Sequence, residues 1–213
     1  MIAREGRIIL IPLLLVTFVI GLYAHVINSE SLTFLYGVLV LSFLFSLNFF
    51  RDPKRLIPMD KKSIISPADG KVVKITEIND LEVGESAKIV SIFLNVFNVH
   101  ANRVPIEGTV SSVERKSGKF LAAFNHKASD ENEQVVTVLD HSTGQYKVKQ
   151  IAGLLARRIL CYAVVGGKMH KGGRLGFIRF GSRTDLIMPN HVNVEVEVGE
   201  KVTGGETIIG KIA

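Results

Sequence analysis

The dipeptide Gly181-Ser182, within Phe180-Gly181-Ser182-Arg183, carries the residue types that allow a peptide bond to break itself. The Ser182 hydroxyl can attack the Gly181 carbonyl and shift the acyl group from nitrogen to oxygen. Glycine leaves that approach unblocked and tolerates a strained backbone. β-Elimination of the ester gives dehydroalanine, which hydrolyses to a pyruvoyl group. Such a ketone condenses with an amine and draws off electrons as a carboxylate leaves. Taken alone, Gly-Ser is common and reads as an ordinary turn, so the surrounding chain must decide.

Two further polar residues interrupt apolar patterns. Asp69 sits in Ser66-Pro67-Ala68-Asp69-Gly70, a Pro/Gly turn before a strand, where an aspartate often does no more than cap the backbone. His100 follows Asn98-Val99 at the end of an apolar run. A histidine oriented by an aspartate can act as base toward a serine hydroxyl, although spacing alone does not establish that geometry. His126 and His170 read as solvated loop residues. No carboxylate or histidine cluster has metal-ligand spacing, and no Walker-type or dinucleotide-type glycine loop is present, so no metal is expected. The single Cys161 lies in an apolar strand and reads as a buried thiol.

These residues need an anchor and a scaffold. Residues 8–27 and 32–50 are uncharged apolar runs, each long enough to cross a hydrocarbon core of about 30 Å as a helix. The short connection between them predicts a membrane hairpin, residues 1–55, with its ends on one side. Arg4, Arg7, Arg51, Lys54, Arg55, Lys61 and Lys62 flank the runs, and the turn has no Lys or Arg. By the positive-inside rule, the remainder of the chain then lies on the cytoplasmic face of the cell membrane. The net charge of +6 suits attraction to anionic lipid. Nucleic-acid binding would need a basic stripe interleaved with aromatics, and none is present.

Residues 56–213 predict one catalytic domain, mainly β, giving an α+β chain overall. Strand patterns fall at 71–75, 88–94, 109–113, 134–139, 146–151, 161–165, 176–180, 192–198 and 207–212, with short helices at 118–124 and 153–160. Val165-Gly166-Gly167-Lys168-Met169, followed by Gly172, Leu175 and Gly176, matches Val198-Gly199-Glu200-Lys201-Val202, followed by Gly205, Ile208 and Gly210. Each copy reads as strand, glycine turn, strand. That cadence marks the flattened barrels of lipoyl and biotinyl carrier modules, so a barrel or sandwich of such half-motifs is the expected architecture.

Ordered blocks along nearly the whole chain resemble the phosphatidylserine decarboxylase family in its short, membrane-hairpin form. They are Phe49-Phe50-Arg51-Asp52-Pro53, Ser66 to Gly70, Asn98-Val99-His100-Ala101-Asn102-Arg103-Val104-Pro105, Asn125-His126-Lys127-Ala128-Ser129 with Asn132-Glu133, Gln150 to Arg158, and Arg179 to Asp185. The resemblance implies a proenzyme cut between Gly181 and Ser182 into a β chain, 1–181, and an α chain, 182–213. It further implies a covalent pyruvoyl cofactor made from Ser182, a membrane phospholipid substrate, and Asp69 with a histidine as activators of Ser182. Longer family members carry two histidines where this chain has His100 and then Arg103, so Asp69, His100 and Ser182 form the expected triad, with Arg103 able to share the electrostatic work. Candidates for contact with the substrate phosphate or carboxylate are Arg103, Asn132 and Arg183, with Arg157, Arg158 and Arg179 also available. A membrane-tethered lipoyl-like carrier, an ether-lipid decarboxylase and a non-enzymatic surface-binding protein are the rival readings, and a homo-oligomer stays open.

Overall fold

The computed structural model describes residues 1–118, 131–153, 158–179 and 182–213, which divide into two compact units, Met1–Lys54 and Arg55–Ala213. In the first unit, α1 (Arg7–Ile27) and α2 (Glu30–Phe49) form a hairpin. Both helices are long and apolar enough to cross a membrane. Asn28 turns the chain in the left-handed region at φ 53°, and the Ser29 side chain caps α2 by accepting from Leu32 N. That cap, with Glu30 in the first turn, starts α2 two residues before its apolar run. The hairpin ends meet: Ala3 N donates to Phe50 O at 2.7 Å and Asp52 N to Met1 O at 2.8 Å.

The second unit is built of strands. Eight form one curled sheet in the order β13 (Lys201–Val202), β2 (Gly70–Asp80), β3 (Gly84–Leu94), β11 (Ser182–Met188), β7 (Gly144–Ala152), β6 (Gln134–His141), β5 (Gly108–Lys116) and β9 (Lys168–Met169). Register shifts at Val72/Lys74 and Val110/Ser112 bend it. Two three-stranded sheets complete the unit, β1 (Ser63–Ile65) with β14 (Ile208–Ile212) and β12 (Val192–Val194), and β4 (Ala101–Arg103) with β10 (Arg174–Ile178) and β8 (Ile159–Cys161). Val72, Val90, Ile92, Val110, Leu139, Val148, Leu186 and Met188 share one core.

The internal repeat is visible in the backbone. Gly199 N donates to Val72 O and Val72 N to Glu200 O; at the matching positions, Gly166 N donates to Val110 O and Val110 N to Gly167 O. Gly205 N bonds Ser66 O as Gly172 N bonds Val104 O. The paired glycines Gly166 and Gly199 have φ 81° and 101°, and Gly172 and Gly205 have 78° and 85°. Those backbone conformations explain why glycine recurs at these positions.

Three expectations need correction. The strand expected over 161–165 runs instead over Ile159–Cys161, so the end of the helix expected at 153–160 is strand; residues 154–157 of that helix, and most of the one at 118–124, lie outside the described residues. Cys161 is half-buried rather than buried, with Sγ 3.5 Å from Thr137 Oγ1. The central strand β11 was not expected at all.

Candidate active site

Ser182 opens β11 and lies between Leu94, the last residue of β3, and Ala152, the last residue of β7. Its side chain is buried, and Oγ has no hydrogen-bond partner among the described residues. A buried hydroxyl left so costs on the order of 1–3 kcal/mol, which suits an atom kept for reaction. Successive strand residues face opposite ways, so Ser182 and Thr184 share the face that Leu186 and Met188 turn to the core, while Arg183 and Asp185 take the other. Gly181 lies outside the described residues.

Six residues beyond Leu94, the buried His100 follows the turn that ends at Asn98 and precedes β4. Its carbonyl accepts from Ile178 N at 3.2 Å, which ties it to the end of β10 just before the Ser182 segment. The ring nitrogen Nδ1 is 2.9 Å from Asn98 O. A carbonyl only accepts, so Nδ1 carries a proton, and it is Nε2 that would carry the lone pair of a neutral imidazole, the form a general base requires.

Behind this end of the sheet is a buried amide network. Gln150 Nε2 donates to Asn102 Oδ1 at 2.8 Å, and Asn102 Nδ2 donates to Thr184 Oγ1 at 3.1 Å. Gly176 makes room for it, because a Cβ there would fall 2.0 Å from Leu160 O and 2.7 Å from Gln150 Nε2. Asn132, also buried, donates from Nδ2 to the carbonyl of Ala152, the cross-strand neighbour of Ser182, at 2.7 Å. Pro67 O accepts from Arg103 N at 2.8 Å and from Asn102 Nδ2 at 3.4 Å, so the Asp69 loop is stitched to β4.

The members of the expected triad each have their own partners: Ser182 pairs between β3 and β7, His100 is tied to Asn98 and Ile178, and the Asp69 carboxylate accepts from Arg55 Nη2 at 2.8 and 3.0 Å and from Gly204 N at 2.8 Å, not from the histidine. Arg103 directs Nη1 toward Gly172 O at 3.4 Å. Arg183 is buried on the strand face opposite Ser182, with Nε 2.6 Å from Asp185 Oδ1 and Nη2 2.6 Å from Ser91 Oγ. Arg158 is exposed, Arg179 half-buried, and Arg157 and His126 lie outside the described residues. Lys168, which a carrier would need at a hairpin tip, is paired with Thr109 inside β9.

A surface cleft of about 340 Å³ lined by Glu107, Asp140, His141, Lys168 and His170 includes none of Ser182, His100, Asp69 and Asn132. Burial pushes the His141 imidazole below its usual value despite the nearby Glu107 carboxylate. With no buried reactive group facing it, that cleft is a weaker candidate than the Ser182 end. Among the described residues no three His, Cys, Asp or Glu side chains group to hold a metal ion.

The family profile of phosphatidylserine decarboxylase matches residues 43–210. The chain belongs to the phosphatidylserine decarboxylase family. Phosphatidylserine decarboxylase proenzymes from Ralstonia nicotianae, over 212 residues, and Desulfotalea psychrophila, over 214, are each 42% identical to it; the alignments cover 99% of this chain and 95% and 96% of theirs. One from Chlorobium limicola is 41% identical over 190 residues, 89% of this chain and 88% of its own. Within this family fold, sequence reasoning missed Arg55, Asn102, Gln150 and Thr184. Asn102 and Gln150 were visible inside family-like blocks, yet an amide in a strand gives no sign of burial. Arg55 was counted as a juxtamembrane charge, whereas its side chain is only 9% exposed.

Proposed function

We propose that this chain is a proenzyme that cuts itself between Gly181 and Ser182 and then decarboxylates phosphatidylserine to phosphatidylethanolamine at the membrane. The observation that supports it best is the buried Ser182 Oγ, without a hydrogen-bond partner among the described residues, at the head of a central strand.

In self-cleavage, Ser182 Oγ bonds to the Gly181 carbonyl carbon as the Gly181–Ser182 C–N bond breaks. Loss of the Ser182 α-proton and of the Cβ–O bond then frees Gly181 as a carboxylate. Water enters at residue 182 and ammonia leaves. His100, with Nδ1 donating to Asn98 O, can accept the hydroxyl proton on Nε2. Thr184 and Asn102 fix the β11 backbone beside Ser182, and Asn132 holds Ala152 across from it. Residue 182 fits the pyruvoyl group, since its small side chain is already buried among these groups. That carbonyl supplies the electron sink for decarboxylation of an amine-bearing substrate.

After such a cut, residues 182–213 would stay in place. β11 lies between β3 and β7, β13 pairs with β2, and β14 with β1, all strands of the large chain. The hairpin would hold the site to the membrane on its cytoplasmic face, raising the effective concentration of a lipid substrate.

The test is decarboxylation of phosphatidylserine vesicles by purified enzyme without added cofactor. Activity should survive chelators and show no pyridoxal absorbance, and hydroxylamine should abolish it by consuming the ketone. Undiminished activity in hydroxylamine would refute the pyruvoyl reading.

A further inference from the structure

We infer that Arg55 is a positioning residue for Asp69 in self-cleavage, an inference that rests on the role proposed for Asp69 as an activator of Ser182. Three separated segments converge on this pair. The Arg55 guanidinium bonds both carboxylate oxygens of Asp69 through Nη2, at 2.8 and 3.0 Å, and places Nη1 3.9 Å from Glu206 Oε2. Both side chains are largely buried, Arg55 at 9% and Asp69 at 15% exposure. A guanidinium so placed is no surface charge for lipid head groups, and its geometry is fixed by its partners.

The backbone around the pair is locked as well. Glu206 Oε1 accepts from Leu56 N at 2.9 Å, which pins the residue after Arg55. Gly204 N donates to Asp69 Oδ1 at 2.8 Å. That approach requires glycine, because a Cβ at 204 would come within 2.9 Å of the Ala68 carbonyl carbon and 3.1 Å of Asp69 N. Asp69 therefore receives a cation across both oxygens and a backbone N–H on one, which sets the plane of its carboxylate. The same loop is held at Pro67 by Asn102, whose amide also bonds Thr184, two residues from Ser182. Orientation imposed at Arg55 thus reaches the strand that carries the reacting hydroxyl. Gly204 and Glu206 belong to the part that becomes the small chain, whereas Arg55 and Asp69 belong to the large one.

Self-cleavage of the full chain, synthesised in the presence of phospholipid vesicles and followed by pulse-chase on denaturing gels, tests this. Arg55→Met should slow cleavage about tenfold or more, and adding it to Asp69→Asn should slow cleavage no further, since the two substitutions remove one interaction. Arg55→Lys should recover most of the rate, because one ammonium can meet both oxygens of a carboxylate, as Lys147 Nζ does on Asp80 at 2.6 Å to each. A structural role, including poor folding of the Met variant, would instead slow the double variant by the full single effect and overturn the inference. Normal cleavage in Arg55→Met would overturn it too. Normal cleavage in Asp69→Asn, visible in its own lane, would refute the role of Asp69 itself and the inference with it.

Discussion

Ser182→Ala is expected to abolish both self-cleavage and decarboxylation, leaving a single chain of 213 residues on a denaturing gel. The attacking atom is Oγ, and alanine has none. The substitution removes an atom with no hydrogen-bond partner among the described residues, so it strips no bond from the fold there. Stability should not fall, since removing such a buried hydroxyl relieves a desolvation cost, and the defect should be confined to chemistry. Ser182→Cys should cut slowly, because a thiol can make the same acyl shift. A Ser182→Ala chain that still separates into two pieces would move the scissile bond elsewhere.

The second large effect lies three residues along the same strand and on the other face. Asp185→Ala should destabilise the catalytic unit by about 3–5 kcal/mol, the cost of leaving a buried charge without its partner. The charge in question is Arg183, whose side chain is 2% exposed and whose Nε lies 2.6 Å from Asp185 Oδ1. Because whole domains are stable by only about 5–15 kcal/mol, such a loss should cost most of the folded yield. Replacing both Arg183 and Asp185 by leucine should cost less than Asp185→Ala alone, since neither charge then needs solvation. Denaturant midpoints, taken in the Ser182→Ala background so that one chain unfolds, give the comparison. Equal midpoints for Asp185→Ala and the parent would show the pair to be dispensable.

This pair also explains what could and could not be read from the sequence. The hairpin was legible because a bilayer demands long uncharged runs, and strands such as β3, β6 and β7 were legible from β-branched, apolar segments. β11 was not, although it is central. Its first four residues are Ser182, Arg183, Thr184 and Asp185, all buried, and the last three are held by polar pairing with one another or their neighbours rather than by apolar character. Polar pairing leaves no periodic trace in a single sequence. The three-residue strands β1 and β4 are too short to show a period. The glycine repeat was legible since φ near 80–100° restricts those positions to glycine, whatever the tertiary context.

At the site, Ser182, Asp69 and His100 were each singled out by residue type, but their partners were not. Asp69 was expected to face a histidine and is held by Arg55 and Gly204, contacts between segments more than a dozen residues apart. His100 was expected to be oriented by a carboxylate, and Nδ1 is instead held by a carbonyl two residues away. Arg183 was expected near the substrate, and strand alternation turns it to the face opposite Ser182.

The most direct test of the central claim is the intact mass of the purified protein under denaturing conditions. Two chains are expected, 1–181 ending in a glycine carboxylate and 182–213 beginning with a blocked residue lighter than serine by one ammonia. Borohydride with phosphatidylserine should add a covalent lipid-derived mass to the small chain alone. A single uncut chain, or a small chain with a free serine amine, in a preparation that still releases carbon dioxide from phosphatidylserine would contradict the account.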